Sequence, residues 1–273
     1  MKDSRHIVSR DNPLFKSLRT IADDPRRHGF ALADGIHLVS TCLARGVAAV
    51  RLLASESGLK NPEIAALLQA ATGIDCVVLR DSLFREVSGV STPTGIAAVI
   101  AIPTASGEMG PGDALLLDAV QDSGNVGAIL RTAAAAGVRQ VLLGVGCAGA
   151  WTARVLRAGQ GAHFSLEIRE QVDLGAVLTA SPAISIATVA RDGTSLYELD
   201  LRGPLLWLVG NEGAGLSADL IAAADLRATI PLAGGTESLN VAAATAVCLF
   251  EASRQRSAAS ALPRPPVGKP GRH

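Results

Sequence analysis

Residues 114–137 read ALLLDAVQDSGNVGAILRTAAAAG. Ala114–Leu117 is an unbroken apolar run, the pattern of a strand buried on both faces in a parallel sheet. Small and polar residues follow, and from Val126 to Ala136 the pattern turns helical, with Asn125 or Ser123 available as N-cap and Gly137 as C-cap. A buried strand feeding a helix is half of a βαβ unit, and the alternation continues downstream. Strands are expected at Gln140–Leu143, Phe164–Ile168, Ile184–Thr188, Leu205–Val209 and Ala228–Ile230, and a final helix at Val241–Ser253. Residues 113–255 therefore predict an α/β domain with a parallel sheet.

Upstream, the stretch from Pro103 to Asp113 holds three Gly and two Pro in eleven residues, so 104–112 reads as a linker. Before it, 14–29 looks helical, Phe30–Val39 is mixed, and Ala49–Ala54, Cys76–Leu79 and Gly95–Ile102 are short apolar segments around a helical Pro62–Ala71. Residues 1–103 form a second, smaller α/β domain on this reading. From Arg256 to His273 there are four Pro, two Gly and no periodicity, which predicts a disordered tail at 256–273.

Composition narrows the function classes. The 273 residues are 48% hydrophobic and 18% charged, enough to build a core and too apolar for general disorder. The longest apolar candidate for a membrane span, Val241–Phe250, has ten residues against the roughly 18–20 required. The polar first residues lack the apolar core of a signal peptide, so the expected compartment is the cytoplasm. The four cysteines (42, 76, 147 and 248) form no CxxC and the five histidines no cluster, so neither a metal site nor a disulfide framework is expected. Net charge is zero, yet residues 1–30 carry seven Lys/Arg against four acids. Arg10, Lys16, Arg19, Arg26 and Arg27 are candidate phosphate contacts; a solvated helix face is the other reading.

Three glycine-bearing loops invite chemistry. Gly144-Val-Gly146-Cys-Ala-Gly149 has the G-x-G-x-x-G form of a dinucleotide loop, but it does not follow the first strand of its domain and enters its helix slackly. Asp122–Arg131 puts Gly127 and Arg131 four residues apart on one helix face, and a first-turn glycine suggests close approach by a ligand or another backbone. Arg131 alone also fits an arginine snorkelling off an apolar helix. Gly210-Asn-Glu212-Gly-Ala-Gly215 follows an apolar strand, where it is either a flexible turn or a loop whose main chain meets a ligand. Finally Ile230-Pro-Leu232 leads through a glycine-rich loop to Ser238-Leu-Asn240-Val241, where Ser238 or Asn240 can cap the last helix.

Taken together, these elements resemble the SpoU, or TrmH, family of RNA ribose methyltransferases within the SPOUT class. The family motifs N-x-G-x-x-x-R, G-x-E-G and I-P-M…S-L-N-V stand here, in order, as Asn125–Arg131, Gly210–Gly213, and Ile230-Pro-Leu232 with Ser238–Val241. Leu232 replaces a methionine, Ser123 stands where proline is frequent, and Gly159 replaces a common serine. The resemblance covers about 113–255; more loosely, the first 103 residues are similar to the family's L30e-like substrate-binding domain, with Thr92–Ala98 as its closing strand.

The resemblance implies a trefoil-knotted domain, a homodimer and S-adenosyl-L-methionine as methyl donor, with no membrane or metal partner. It places Thr188, Gly210, Gly213, Ile230, Leu232 and Leu239 around the cofactor, and Arg131, Asn125, Glu212, Ser238 and Asn240 at the reaction site, the arginine commonly from the partner subunit. The implied reaction is methylation of a ribose 2′-hydroxyl in RNA, ribosomal RNA favoured over transfer RNA by family analogy. A guanidinium stays protonated, which suits Arg131 to clamp a phosphate or a developing oxyanion, whereas Glu212 is the better proton acceptor if within reach. The alternatives are a SPOUT enzyme acting on an RNA base and a non-catalytic RNA-binding protein that keeps the fold.

Overall fold

The computed structural model describes residues 5–105 and 109–260. The first half is built from β1 (Arg5–Ile7), α1 (Pro13–Asp23), α2 (Pro25–His28), β2 (Phe30–Asp34), α3 (Ile36–Ala44), β3 (Ala49–Ser55), α4 (Pro62–Ala70), β4 (Asp75–Leu79), α5 (Asp81–Ser88) and β5 (Ile96–Ala101). Its strands form a mixed sheet in the order β1-β4-β3-β5-β2, with β5 antiparallel to both neighbours. The helix expected over 14–29 is two. Pro25 has no N–H to continue α1, and Asp24 restarts the chain by accepting from Arg27 N at 3.1 Å.

The second half contains β6 (Ala114–Leu117), α6 (Ser123–Ala136), β7 (Gln140–Leu143), α7 (Ala153–Gly159), β8 (Glu167–Glu170), α8 (Leu174–Ala180), β9 (Ile184–Thr188), β10 (Thr194–Ser195), β11 (Leu205–Val209), α9 (Ala218–Ala223), β12 (Leu226–Thr229) and α10 (Val241–Ser260). The seven strands are all parallel, in the order β10-β12-β9-β11-β6-β7-β8. The central strands β6, β7 and β11 are buried along their whole length, which is why their sequences do not alternate and are apolar apart from Gln140.

Three expectations need correcting. The strand expected at 164–168 begins only at Glu167, because Ala162–Ser165 forms a 3₁₀ turn, entered through Gly161 at φ +83°. The cap of α6 is Asp122, whose Oδ1 accepts from Asn125 N at 2.8 Å, so neither Ser123 nor Asn125 serves. The tail expected from Arg256 does not start there: α10 runs to Ser260, and Arg256 donates to both oxygens of Asp113 at 2.7 and 2.9 Å and to Gly203 O at 2.8 Å. Residues 261–273 of the expected tail and 106–108 of the expected linker lie outside the described residues. Gly110, in the same linker, is fastened by N–H and carbonyl to the buried Gln140 side chain at 2.8 and 3.0 Å.

The two halves meet along α7. One buried cluster runs from Val39 and Cys42 of α3 through Val155 and Leu156 of α7 to the core of the parallel sheet. Arg157 donates to Thr92 O at 3.1 Å, and Arg45 donates to the Ser165 hydroxyl. Beneath this seam, the Asp34 carboxylate is 1% exposed and neither oxygen has a hydrogen-bond partner among the described residues. Burial pushes its carboxyl up to about 6, while Ser88 and Arg157 nearby offset only part of that rise. His163, also buried, donates from Nε2 to Ala150 O at 2.8 Å and leaves Nδ1 without a partner. Burial lowers its imidazole to about 4 against the pull of that carbonyl.

What meets Gly127 is another backbone. A Cβ there would fall 2.3 Å from Ala158 Cβ and 2.8 Å from Val155 O, so α6 and α7 cross in near contact at this point. Gly127→Ala is expected to lower stability by about 1–3 kcal/mol, read from the urea midpoint, because two backbones rather than a flexible side chain must give way. Gly159 has a matching reason: a side chain there would meet the His163 ring at 2.6 Å.

Candidate active site

The loops at the carboxyl ends of β6, β9, β11 and β12 converge on one cleft, the usual ligand position of an open parallel sheet. The loop after β11 is closed on itself. Asn211 and Gly215 exchange both main-chain hydrogen bonds at 2.9 Å, and the Asn211 side chain accepts from Gly213 N and Ala214 N at 2.9 and 3.0 Å. Gly210 is obligatory there, since a Cβ would sit 2.2 Å from the main chain of Gly215 and Leu216. The same Asn211 donates to Ala119 O at 2.8 Å, and Asp118 accepts from Ser217 N at 2.8 Å, tying this loop to the one after β6.

Glu212 stands at the junction. Its Oε2 accepts from Gln121 N at 3.2 Å, and its Oε1 accepts from Asp122 N and from Asn125 Nδ2, both at 3.0 Å. Asn125 Oδ1 in turn accepts from Asn240 Nδ2 at 2.9 Å, and Asn240 Oδ1 caps α10 by accepting from Ala242 N and Ala243 N at 2.9 and 3.3 Å. The chain has one direction. The cap needs an acceptor, so Asn240 presents its amide N–H to Asn125, which must then present its own to Glu212.

This geometry bears on Glu212 as proton acceptor. Burial alone would raise its carboxyl, but Asn125 Nδ2 and the surrounding main-chain N–H groups outweigh that and hold it below the usual carboxylate value. A carboxylate that accepts these three hydrogen bonds and a longer fourth from Asn211 Nδ2 at 3.5 Å is a strut between loops and a poor base. Asn211 received no role from the sequence, although it lies inside the quoted G-N-E-G; its cue was an Asx residue opening a glycine turn.

Beside the strut lies a cavity of about 620 Å³, within the span of small-molecule sites. Its walls include all six expected cofactor positions, Thr188, Gly210, Gly213, Ile230, Leu232 and Leu239, together with Glu212, Ser238 and Asn240. Leu239 is 38% exposed there, an apolar side chain facing open space in the cleft. The Thr188 hydroxyl is engaged, donating to Leu208 O at 2.8 Å, so its methyl and main chain are what it offers a ligand. Glycine-lined main chain with a few apolar side chains suits a flat heterocycle, as in S-adenosyl-L-methionine.

The remaining expected residues are not brought together. Arg131 is exposed on α6, and no hydrogen bond or ion pair joins it to the Asn125–Glu212–Asn240 chain of its own protomer. Arg10 forks onto Glu86 at 2.9 and 3.2 Å, with Arg19 near the same carboxylate, and Lys16 pairs with Asp11 at 3.3 Å. Arg26 and Arg27 lie exposed on α2, Arg26 acting on Glu170. The G-x-G-x-x-G of 144–149 opens as a β-turn, Cys147 N donating to Gly144 O at 3.5 Å with Gly146 at φ +88°, and none of its residues lines the cavity. Cys42 and Cys248 are buried, their thiols pushed up to about 12, as inert core residues. Among the described residues no three His, Cys, Asp or Glu gather as a metal site, and no helix is long and apolar enough to cross a membrane.

The sequence pattern of the SpoU rRNA Methylase family matches residues 114–250. The 23S rRNA (guanosine(2553)-2′-O)-methyltransferase RlmP of Bacillus subtilis (strain 168) is 35% identical over 86% of this chain and 93% of its own. Among solved structures, a putative RNA methyltransferase of the TrmH family from Porphyromonas gingivalis superposes with a TM-score of 0.77 at 32% identity, covering 90% of this chain and 98% of its own. The AdoMet-bound rRNA methyltransferase from Sinorhizobium meliloti superposes with a TM-score of 0.75 at 26% identity, covering 92% and 98%.

Proposed function

Because this chain belongs to the SpoU rRNA methylase family, we propose that it transfers a methyl group from S-adenosyl-L-methionine to a ribose 2′-hydroxyl of ribosomal RNA. The observation that carries this reading is the Glu212–Asn125–Asn240 chain, drawn from all three motifs and standing on the wall of the glycine-lined cavity. The cofactor would be held by Gly210, Gly213 and Ile230 through main chain and by Thr188, Leu232 and Leu239 through apolar surface. When bound, it supplies a methyl group on cationic sulfur with its own leaving group. The chain's part is then to align the 2′-oxygen, and alignment is worth about 7–11 kcal/mol of a barrier of this kind. Asn125, held by Glu212 and Asn240, is the positioning amide at the mouth; Ser238 faces the same cavity as a further polar contact.

A cation is missing from the cluster within one chain. We infer that Arg131 enters the site of a second copy, clamping a phosphate or the developing oxyanion there, and that the protein works as a homodimer. Its exposure on α6, with no hydrogen bond or ion pair to its own Asn125–Glu212 pair among the described residues, supports this. The knotted threading of the parallel-sheet domain at 113–255, an L30e-like substrate-binding role for 1–103 and a cytoplasmic location complete the proposal.

The test is transfer from methyl-labelled S-adenosyl-L-methionine to RNA from cells lacking this gene, followed by digestion to nucleosides. Ribose label is expected, in ribosomal RNA, and Arg131→Ala is expected to lose about a hundredfold or more in turnover. Mixing Arg131→Ala with Glu212→Gln subunits should restore part of it, one intact site forming per mixed dimer. Label on a base, or cofactor binding with no label even on assembled ribosomal particles, overturns the reaction; normal turnover of Arg131→Ala overturns the clamp.

A further inference from the structure

Ala119 holds a left-handed conformation, φ +52°, which a residue with a β-carbon adopts only at a cost. Its neighbours are fastened on both sides. Asp118 N donates to Val209 O and the Asp118 carboxylate accepts from Ser217 N, both at 2.8 Å. On the other side the buried Val120 accepts at its carbonyl from Ala148 N, also at 2.8 Å. The Ala119 carbonyl between them accepts from Asn211 Nδ2 at 2.8 Å. Asn211 cannot present its amide the other way round, because Oδ1 is taken by Gly213 N and Ala214 N, two donors that would then face a donor. Just beyond Val120, Gln121 N and Asp122 N turn to Glu212. A single side chain on the cavity wall thus grips the bend from which the reaction-site segment sets out.

We propose that Asn211 is a positioning residue: its tether to Ala119 O holds the 118–122 segment in the left-handed bend that aims two main-chain N–H groups at Glu212, so that the cofactor wall and the Asn125 amide form one rigid unit. Gly210 and Gly213 of the same loop belong to that wall. Asn125 Nδ2 shares Oε1 of Glu212 with Asp122 N, so a bend that shifts Asp122 also shifts the amide. With the tether cut, alanine relaxes towards negative φ, Asp122 N draws away from Glu212, and the 2′-oxygen loses its line to the methyl group. Resting on the ribose-methylation reading, this role adds the residue that keeps the two sides of the site in register.

Two variants separate the tether from the turn that carries it. Asn211→Ser keeps an oxygen to accept from Gly213 N and is too short to reach Ala119; Asn211→Asp keeps both acceptor contacts and sets an oxygen against the Ala119 carbonyl. Each is measured with and without Ala119→Gly, for kcat on ribosomal RNA from cells lacking this gene, for the S-adenosyl-L-methionine Kd, and for amide hydrogen exchange. Both are expected to lose about tenfold or more in kcat while the cofactor Kd moves less than threefold. Protection at Gln121 and Asp122 should fall about tenfold while Gly215 keeps its own. Because glycine enters the left-handed region freely, Ala119→Gly is expected to return about fivefold of the lost kcat in either background. Unchanged exchange at Gln121 and Asp122 in both variants overturns the tether, and protection lost at Gly215 as well assigns Asn211 to its own turn and overturns it too. A kcat that stays at the wild-type value, or a loss that Ala119→Gly does not relieve, overturns the positioning role while leaving the enzyme reading in place. A folded wild type that transfers no methyl overturns the enzyme reading, and the exchange rates then still decide the tether.

Discussion

Glu212→Gln is expected to reduce kcat for RNA methylation by about a hundredfold or more while the cofactor Kd moves less than threefold. The carboxylate takes hydrogen bonds from Gln121 N, Asp122 N and Asn125 Nδ2 on its two oxygens. A glutamine has one oxygen and one NH₂, so at least one of those donors would face another donor. Asn125 cannot turn to relieve the conflict, because its oxygen is committed to Asn240, which is itself committed to the helix cap. The loss therefore spreads along the chain of amides. In a double-mutant cycle, Asn125→Ala and Glu212→Gln should be strongly non-additive, each alone costing nearly what both cost. A strut and a base also differ in their pH profiles. A carboxylate held below its usual range by those donors gives no inflection in kcat between pH 6 and 8; an inflection there that vanishes in Glu212→Gln would restore the base.

The second large effect is on stability. Asp34 is buried with neither oxygen paired, and its carboxyl is raised to about 6. An acid whose folded value lies above its unfolded one holds its proton more tightly in the native state, so it disfavours folding once pH exceeds the folded value. That handicap is absent below about 4 and full above about 6. Asp34→Asn is therefore expected to raise stability by about 2–3 kcal/mol at pH 7.5 and to change it little at pH 4, since each tenfold gain in proton affinity on folding is worth about 1.4 kcal/mol. His163 runs the other way: its imidazole is depressed to about 4, so the stability it protects is lost as pH falls from about 6.5 towards 4. Taking the difference between variant and wild type at each pH cancels the histidine and isolates the aspartate. Urea midpoints that coincide at pH 7.5 would mean that Asp34 finds a partner in solution.

The parallel-sheet half was legible because buried strands leave a plain trace: Ala114–Leu117, Gln140–Leu143, Ile184–Thr188 and Leu205–Val209 stand where their apolar runs end. Two of the misses share a cause, hydrogen bonds made beyond the neighbouring turn, whereas the break before Pro25 and the Asp122 cap are local. Arg256 reads as the start of a basic, proline-rich tail until Asp113, 143 positions away, is seen to hold it. Phe164 and Ser165 read as strand until the His163 ring commits the chain to a turn against Ala150. The site divided the same way. Residue types and spacing pointed to Asn125, Glu212 and Asn240, but the donor-to-acceptor order that turns the glutamate into a strut depends on which amide caps α10.

The clasp of Arg256 on Asp113 also sets when this protein can begin to work. It closes a loop of 143 positions, and closing so long a loop is slow because little ordering is returned until the ends meet. Asn240, which orients the other two members of the amide chain, sits at the head of the same late helix. A chain still emerging from the ribosome therefore carries its first half and most of its parallel sheet before the Glu212–Asn125–Asn240 chain can close. The three amide and carboxylate side chains of the site are thus drawn into one order only once α10 has been made and docked.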